Sequence, residues 1–206
     1  MKSFKDIQFE VGAWAVENFG NNETPYLGCR QAGNISRTRP RSSSDRPGPA
    51  VRAPTVVELG SLAPLMGIAE EVGELLAATK NDEWLDALGD ITIYLCDYCC
   101  RESIALPEFI ALDEGDEHDA ADGIVIYMGH LFRCHLKRHQ RIRGFNDRDI
   151  FTHERHRALI GLIWHLEQYA RIGMGRTLLE ILNETWGRVV AKRDWRANPE
   201  TGKVDG

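Results

Sequence analysis

Two acidic clusters carried on one amphipathic hairpin constrain this chain more than any other feature. The stretch from Gly67 to Cys100 reads GIAEEVGELLAATKNDEWLDALGDITIYLCDYCC. Glu70, Glu71 and Glu74 recur at i+3 and i+4 spacing, and Glu83, Asp86 and Asp90 do the same further on. Side chains three or four apart share a helix face, so each cluster points one way. Val72, Leu75 and Leu76, then Trp84, Leu85, Leu88, Ile91 and Leu95, form the apolar stripe beside them. A polar turn at Thr79 to Asp82 predicts two antiparallel helices whose acid clusters meet. Six carboxylates brought together repel one another unless a cation sits among them, which points to a divalent-metal site. The same spacing also suits two solvated acidic faces, and the residues alone weigh the two equally.

The 206 residues predict a single domain over 1–206, long enough to bury a substantial core. Hydrophobic residues make up 43% and charged ones 27%, ordinary for a globular protein. A formal charge of −6 argues against a nucleic-acid partner, because phosphate backbones reward a basic face. The five cysteines are an odd number, with Cys96, Cys99 and Cys100 crowded together, so no disulfide framework is expected. Cys96 and Cys99 form a lone C-x-x-C inside an apolar helix, which reads as buried small hydrophobes before a zinc or redox site. The opening MKSFKDIQFEVGAW has no uninterrupted apolar core, so no signal peptide is expected. No apolar run approaches the roughly 18 residues of a membrane span. Reduced thiols and these absences predict a cytoplasmic protein with no membrane partner.

Residues 3 to 19 carry a helical stripe of Phe4, Ile7, Val11, Trp14, Ala15 and Phe19, with Gly20 as C-cap, and this helix should pack on the acidic hairpin. Trp14 reads as core. From Asn21 to Thr55 the periodicity vanishes. Arg30, Arg37, Arg39, Arg41, Arg46 and Arg52 mix there with prolines and serines, which predicts a flexible loop over 21–55. A basic arm that folds over an anionic substrate is the second option. Periodicity resumes over Val57 to Lys80, interrupted at Pro64, and a second helix is expected from Glu83 to Ser103. Pro107 and the acidic run Asp113 to Asp119 mark a loop, and a last helix is expected from Arg176 to Arg193.

The second half repeats the first in faded form. Met66–Leu75 (MGIAEEVGEL) aligns with Asp122–Leu131 (DGIVIYMGHL), and Ala87–Leu95 (ALGDITIYL) with Ala158–Leu166 (ALIGLIWHL). The apolar skeleton survives and the acids do not: Glu70 faces Ile126, Glu71 faces Tyr127, Glu74 faces His130 and Asp90 faces Gly161. The expected fold is therefore all-α, a four-helix-bundle core of two helical hairpins, the second degenerate, flanked by N- and C-terminal helices.

EEVGEL followed by DALGDITIYL resembles the MazG-like all-α nucleoside triphosphate pyrophosphohydrolases, relatives of the dimeric dUTPases and dCTP pyrophosphatases. The ending LLEILNETWGRVVAKRDWRANPETG and the N-terminal WAVENFG are similar to phage and bacterial members of that group, which would place the protein in a bacterial or phage-infected cell. The resemblance leaves the Arg-rich loop and most of the second half uncovered. It implies magnesium, with manganese as the alternative ion, and cleavage of a nucleoside triphosphate, in particular a dNTP, to the monophosphate and pyrophosphate in nucleotide-pool control. It also implies a homo-oligomer, because relatives often build the base pocket between subunits. By position, Glu71 and Glu74 match the E-x-x-E metal ligands and Asp90 the final Asp. The family's remaining acid would fall at Ala87; Asp86, four before Asp90, is expected in its place, with Glu83 in reserve. Tyr94 falls where relatives often place a Tyr near the nucleotide, and as a bare residue reads equally as core.

Magnesium prefers carboxylate and phosphate oxygens and keeps several waters. Glu70 is the candidate for positioning or deprotonating the attacking water; as a bare residue it reads equally as a solvent-facing helix acid. Cations are needed for the phosphates: Lys80, Lys192 and Arg193 are the candidates, ahead of Lys137, Arg138, Arg141 and Arg143, which read as a solvated face. His135 and His139, and His153 and His156, read as exposed faces without a third metal ligand. A ferritin-like di-iron bundle needs two Glu-x-x-His motifs, and none is present. A non-catalytic nucleotide-binding or sensing module is the alternative function.

Overall fold

Helical periodicity is realised as six helices among the described residues: α1 (Phe4–Phe19), α2 (Leu62–Ala77), α3 (Asn81–Arg101), α4 (Glu117–His139), α5 (Arg148–Met174) and α6 (Leu178–Lys192). The structure is a computed structural model that describes residues 1–19, 60–107, 117–142, 144–145 and 147–192. The expected 21–55 loop, the Gly20 cap, the onset at Val57, Arg143 and Arg193 lie outside them. None of the described helices is long and apolar enough to cross a membrane.

Local chemistry sets the helix ends. Ser3 and Asp6 form reciprocal hydrogen bonds that start α1, and Thr177 and Glu180 do the same for α6, each leaving fewer unsatisfied amides in the first turn. Asp147 accepts from the amides of Asp149 and Ile150 to open α5. That helix closes at Gly175, whose φ of 64° suits a residue without a Cβ. Pro64 does not break α2: it sits in the first turn, where the absent N–H has no helical partner to lose. The last helix begins at Leu178 rather than Arg176, because Arg176 and Thr177 complete the Gly175 turn and the cap.

The tertiary arrangement is two antiparallel hairpins, α2–α3 and α4–α5, with α1 and α6 packed on α3. Helix α3 touches α2, α1, α6 and α5, and its side chains from Ala87 to Cys100 are buried nearly all round. Cys96, Cys99 and Cys100 are free thiols enclosed in this core, and burial pushes their pKa values up. On α1, Phe4, Ile7, Val11 and Ala15 are buried as expected, and Trp14 meets Trp186 of α6 edge to face at 5.9 Å.

The repeat is structural. Gly67 and Ile68 match Gly123 and Ile124 in burial, and Leu88, Ile91 and Leu95 match Leu159, Leu162 and Leu166. In the first hairpin, a Cβ added at Gly67 would stand 2.6 Å from the ring of Tyr94. In the second, a Cβ at Gly123 would collide with the ring of His165, the residue aligned with Tyr94. The same glycine thus admits the same ring position in both copies.

Polar groups join the hairpins at one end. Glu102, which caps the end of α3, pairs with Arg155 of α5 and accepts from Ser61 before α2. Tyr98 and His135 Nε2 are 2.8 Å apart, and His135 also meets Phe151 edge to face. His135 is therefore not part of an exposed basic face: its ring is turned between α3 and α5, and burial lowers its pKa. His139, His153 and His156 are exposed as expected.

Candidate functional site

The turn between α2 and α3 is short and braced, which fixes how the acid clusters approach. Glu83 Oε2 accepts from the Thr79 amide at 2.9 Å, Lys80 Nζ reaches Glu83 Oε1 at 3.1 Å, and Trp84 Nε1 donates to the Ala78 carbonyl at 3.1 Å. Glu83 is thereby committed to the turn, and its pKa is lowered first by the Thr79 amide and then by Lys80. Lys80 is exposed and occupied by the same pair.

One turn inward the acids converge on Glu71. Partial burial, then Asp90, Glu74, Glu70 and Asp86 in decreasing order, raise its pKa from 4.5 to about 7. Two α2 residues and two α3 residues thus act on one carboxyl group, so the hairpin brings the two clusters together. Glu83 is engaged at the turn by Thr79 and Lys80 instead. Glu70, Glu74 and Asp86 are exposed, whereas Glu71 and Asp90 are half-buried at the base. Ala87 is buried in the core, so the acid available on that turn of α3 is Asp86, one residue earlier. Tyr94, half-buried over Gly67, stands one turn beyond Asp90 on α3 and one turn before Glu71 on α2.

The donor set is chemically suited to a hard divalent cation, since mutual repulsion among carboxylates is what an ion would relieve. No group of three or more His, Cys, Asp or Glu side chains among the described residues is already drawn in tightly enough to hold an ion as it stands.

The sequence reading missed one cation. Arg188 Nη1 lies 3.3 Å from Asp86 Oδ1, and Arg188 Nη2 donates to Thr185 Oγ1 at 3.1 Å. Its Nε is buried without a hydrogen-bond partner among the described residues. Gly89 explains the placement: a Cβ there would collide with Thr185, so the glycine lets α6 close on α3 and carries Arg188 to the acidic site. The available signal was spacing, because Arg188 precedes Lys192 by four on the same helix face. Lys192 ends α6 with its side chain outside the described residues, as is Arg193 entirely.

In the second hairpin the aligned positions are closed. A Cβ at Gly161 would collide with the ring of Tyr127, so the tyrosine fills the space over the position aligned with Asp90. Tyr127 also packs on His130 and His165, with ring centroids 5.6 and 5.3 Å away.

Comparison of the chain with protein-family models, with curated proteins and with solved structures finds no match.

Proposed function

We propose that the protein is a magnesium-dependent nucleoside triphosphate pyrophosphohydrolase, releasing a nucleoside monophosphate and pyrophosphate. The single observation that carries this reading is the convergence of Asp90, Glu74, Glu70 and Asp86 on the half-buried Glu71. The resemblance of EEVGEL and DALGDITIYL to the MazG-like enzymes supports the substrate class.

Glu71, Glu74, Asp86 and Asp90 would hold the metal, which when bound supplies charge neutralisation between carboxylates and phosphates and a more acidic water. Glu70 lies at the solvent edge beside Glu71, placed to orient a water and take its proton. That water adds to the α-phosphorus; the bond from it to the bridging oxygen breaks, and the electron pair leaves with pyrophosphate. Arg188 is paired with Asp86 at the edge of the acids and would meet the phosphates. Tyr94 lines the inner end, where a sugar or base can pack against its ring. Relatives' use of paired subunits makes a homo-oligomer part of the proposal.

The test is incubation with each NTP and dNTP plus magnesium, assaying pyrophosphate and orthophosphate separately. Pyrophosphate alone is expected, and it should vanish in Glu74→Ala and Asp90→Ala while helicity by circular dichroism is retained. Orthophosphate, or unimpaired turnover in both variants, would overturn the assignment; binding without turnover would leave a sensing role.

A further inference from the structure

The second hairpin has lost most of the acids of the first, and a cavity lined by cations lies there. It has a volume of about 400 Å³ and lies between α4 and α5. In the repeat register His130 stands for Glu74, and carrying the register of α5 back by one turn sets Arg157 against Asp86 and Glu154 against Glu83. Tyr127 over Gly161 closes the inner half of this pseudo-site, and the outer half is the cavity.

Its rim carries Arg133, Lys137 and Arg157, opposed among the described residues by the carboxylate of Glu154. Neither Arg133 nor Arg157 forms an ion pair with a described residue, and both are exposed. Lys137 Nζ rests over the ring of Phe145, 4.7 Å from its centroid. The floor is apolar, formed by the buried Cys134 and Ala158, with the half-buried Phe145 and the exposed Ile150 at its side. A net positive rim above an apolar floor matches a ligand that is anionic at one end and ring-bearing at the other. An inorganic anion would satisfy the rim and leave the floor wet. The volume falls within the roughly 300–1,000 Å³ typical of small-molecule sites.

We propose that this cavity is a second, metal-independent site for a nucleoside phosphate, whose phosphates are held by Arg133, Lys137 and Arg157 and whose ring system packs on Phe145 and Ile150. The proposal does not rest on hydrolysis at the acidic site. It makes the degenerate hairpin a binding half rather than a scaffold.

The experiment is calorimetric titration of the full-length protein in excess chelator with ADP, GDP, CDP and UDP in turn, then with adenosine and inorganic pyrophosphate. At least one nucleoside diphosphate should bind, more tightly than either adenosine or pyrophosphate, and more weakly as sodium chloride rises. Arg133→Ala and Arg157→Ala, both at exposed positions, should each weaken binding about tenfold. Glu154→Gln should tighten it, because a like charge is removed from the rim, and Glu71→Gln should leave it unchanged. Absence of binding by every nucleotide, pyrophosphate binding as tightly as the diphosphates, or binding lost in Glu71→Gln and indifferent to both arginine variants would overturn the proposal. Loss of magnesium-dependent hydrolysis alone leaves these outcomes untouched, so the two assignments fail separately.

Discussion

The ring of Tyr127 lies against the backbone of Gly161, in the space a Cβ would need. These are the positions aligned with Glu71 and Asp90, so the pair that is acidic in one hairpin is an aromatic stacked on a glycine in the other. Gly161→Ala should therefore destabilise the fold by about 1–3 kcal/mol, the ring having to leave a packed position. Gly129→Ala is the control: its Cβ would meet nothing within 4 Å. On an exposed helix turn it should stabilise by about 0.5–1 kcal/mol. Urea unfolding of both variants separates packing from helix propensity, and equal signs would contradict the stacked arrangement.

Glu71 makes the metal-free protein sensitive to pH. Its folded pKa is raised from 4.5 to about 7, so the folded state holds a proton that the unfolded state releases. The stability this contributes is complete below 4.5 and is lost as pH rises toward 7. In chelator, Glu71→Gln should melt higher than the parent above pH 7 and no higher below pH 4.5. Magnesium should raise the melting temperature of the parent above pH 7, and do so less in Glu71→Gln. A parent whose melting point ignores both pH and magnesium would remove Glu71 from the metal site.

Arg188 and Asp86 form a partly exposed pair, and such pairs contribute little to folding. Arg188→Ala should leave stability within about 1 kcal/mol of the parent. If the guanidinium meets the phosphates, the same change should lower kcat/KM at least about tenfold, with partial retention in Arg188→Lys. Unchanged kinetics alongside an unchanged fold would make the contact incidental.

Arg155 and Glu102 are a different case, because both side chains are largely enclosed. Arg155→Met leaves the Glu102 carboxylate without its ion-pair partner and should cost about 3–5 kcal/mol. Adding Glu102→Gln removes the stranded charge and should recover much of that loss. A double-mutant cycle by chemical denaturation reads the coupling directly, and simple additivity would argue against a stitched interface between the hairpins.

Much of the architecture is legible in spacing alone. The i+3 and i+4 stripes define α1, α2, α3 and α6, and the faded match between MGIAEEVGEL and DGIVIYMGHL carries the second hairpin. Its register is borne out by two glycines that each receive a ring from the aligned position. The boundaries were less legible, because Glu83 caps α3 from inside the helix and Thr177 and Glu180 box the start of α6. Helix spacing predicts an exposed His135 because it cannot tell a solvated face from one covered by a third helix.

The amino-acid order by itself determined that each acid cluster lies on one face of its helix and that a short turn joins the two helices. It could not decide which acids crowd together, since that depends on depth. Only the packed hairpin puts Glu71 at the base beside Asp90, turns Ala87 into the core and leaves Asp86 at the rim. Nor could it bring Arg188 to Asp86, 102 residues away, because that contact exists only where Gly89 lets α6 close on α3. Local periodicity fixes which face a side chain takes; burial and long-range approach, which set charge state and partners, belong to the tertiary fold alone.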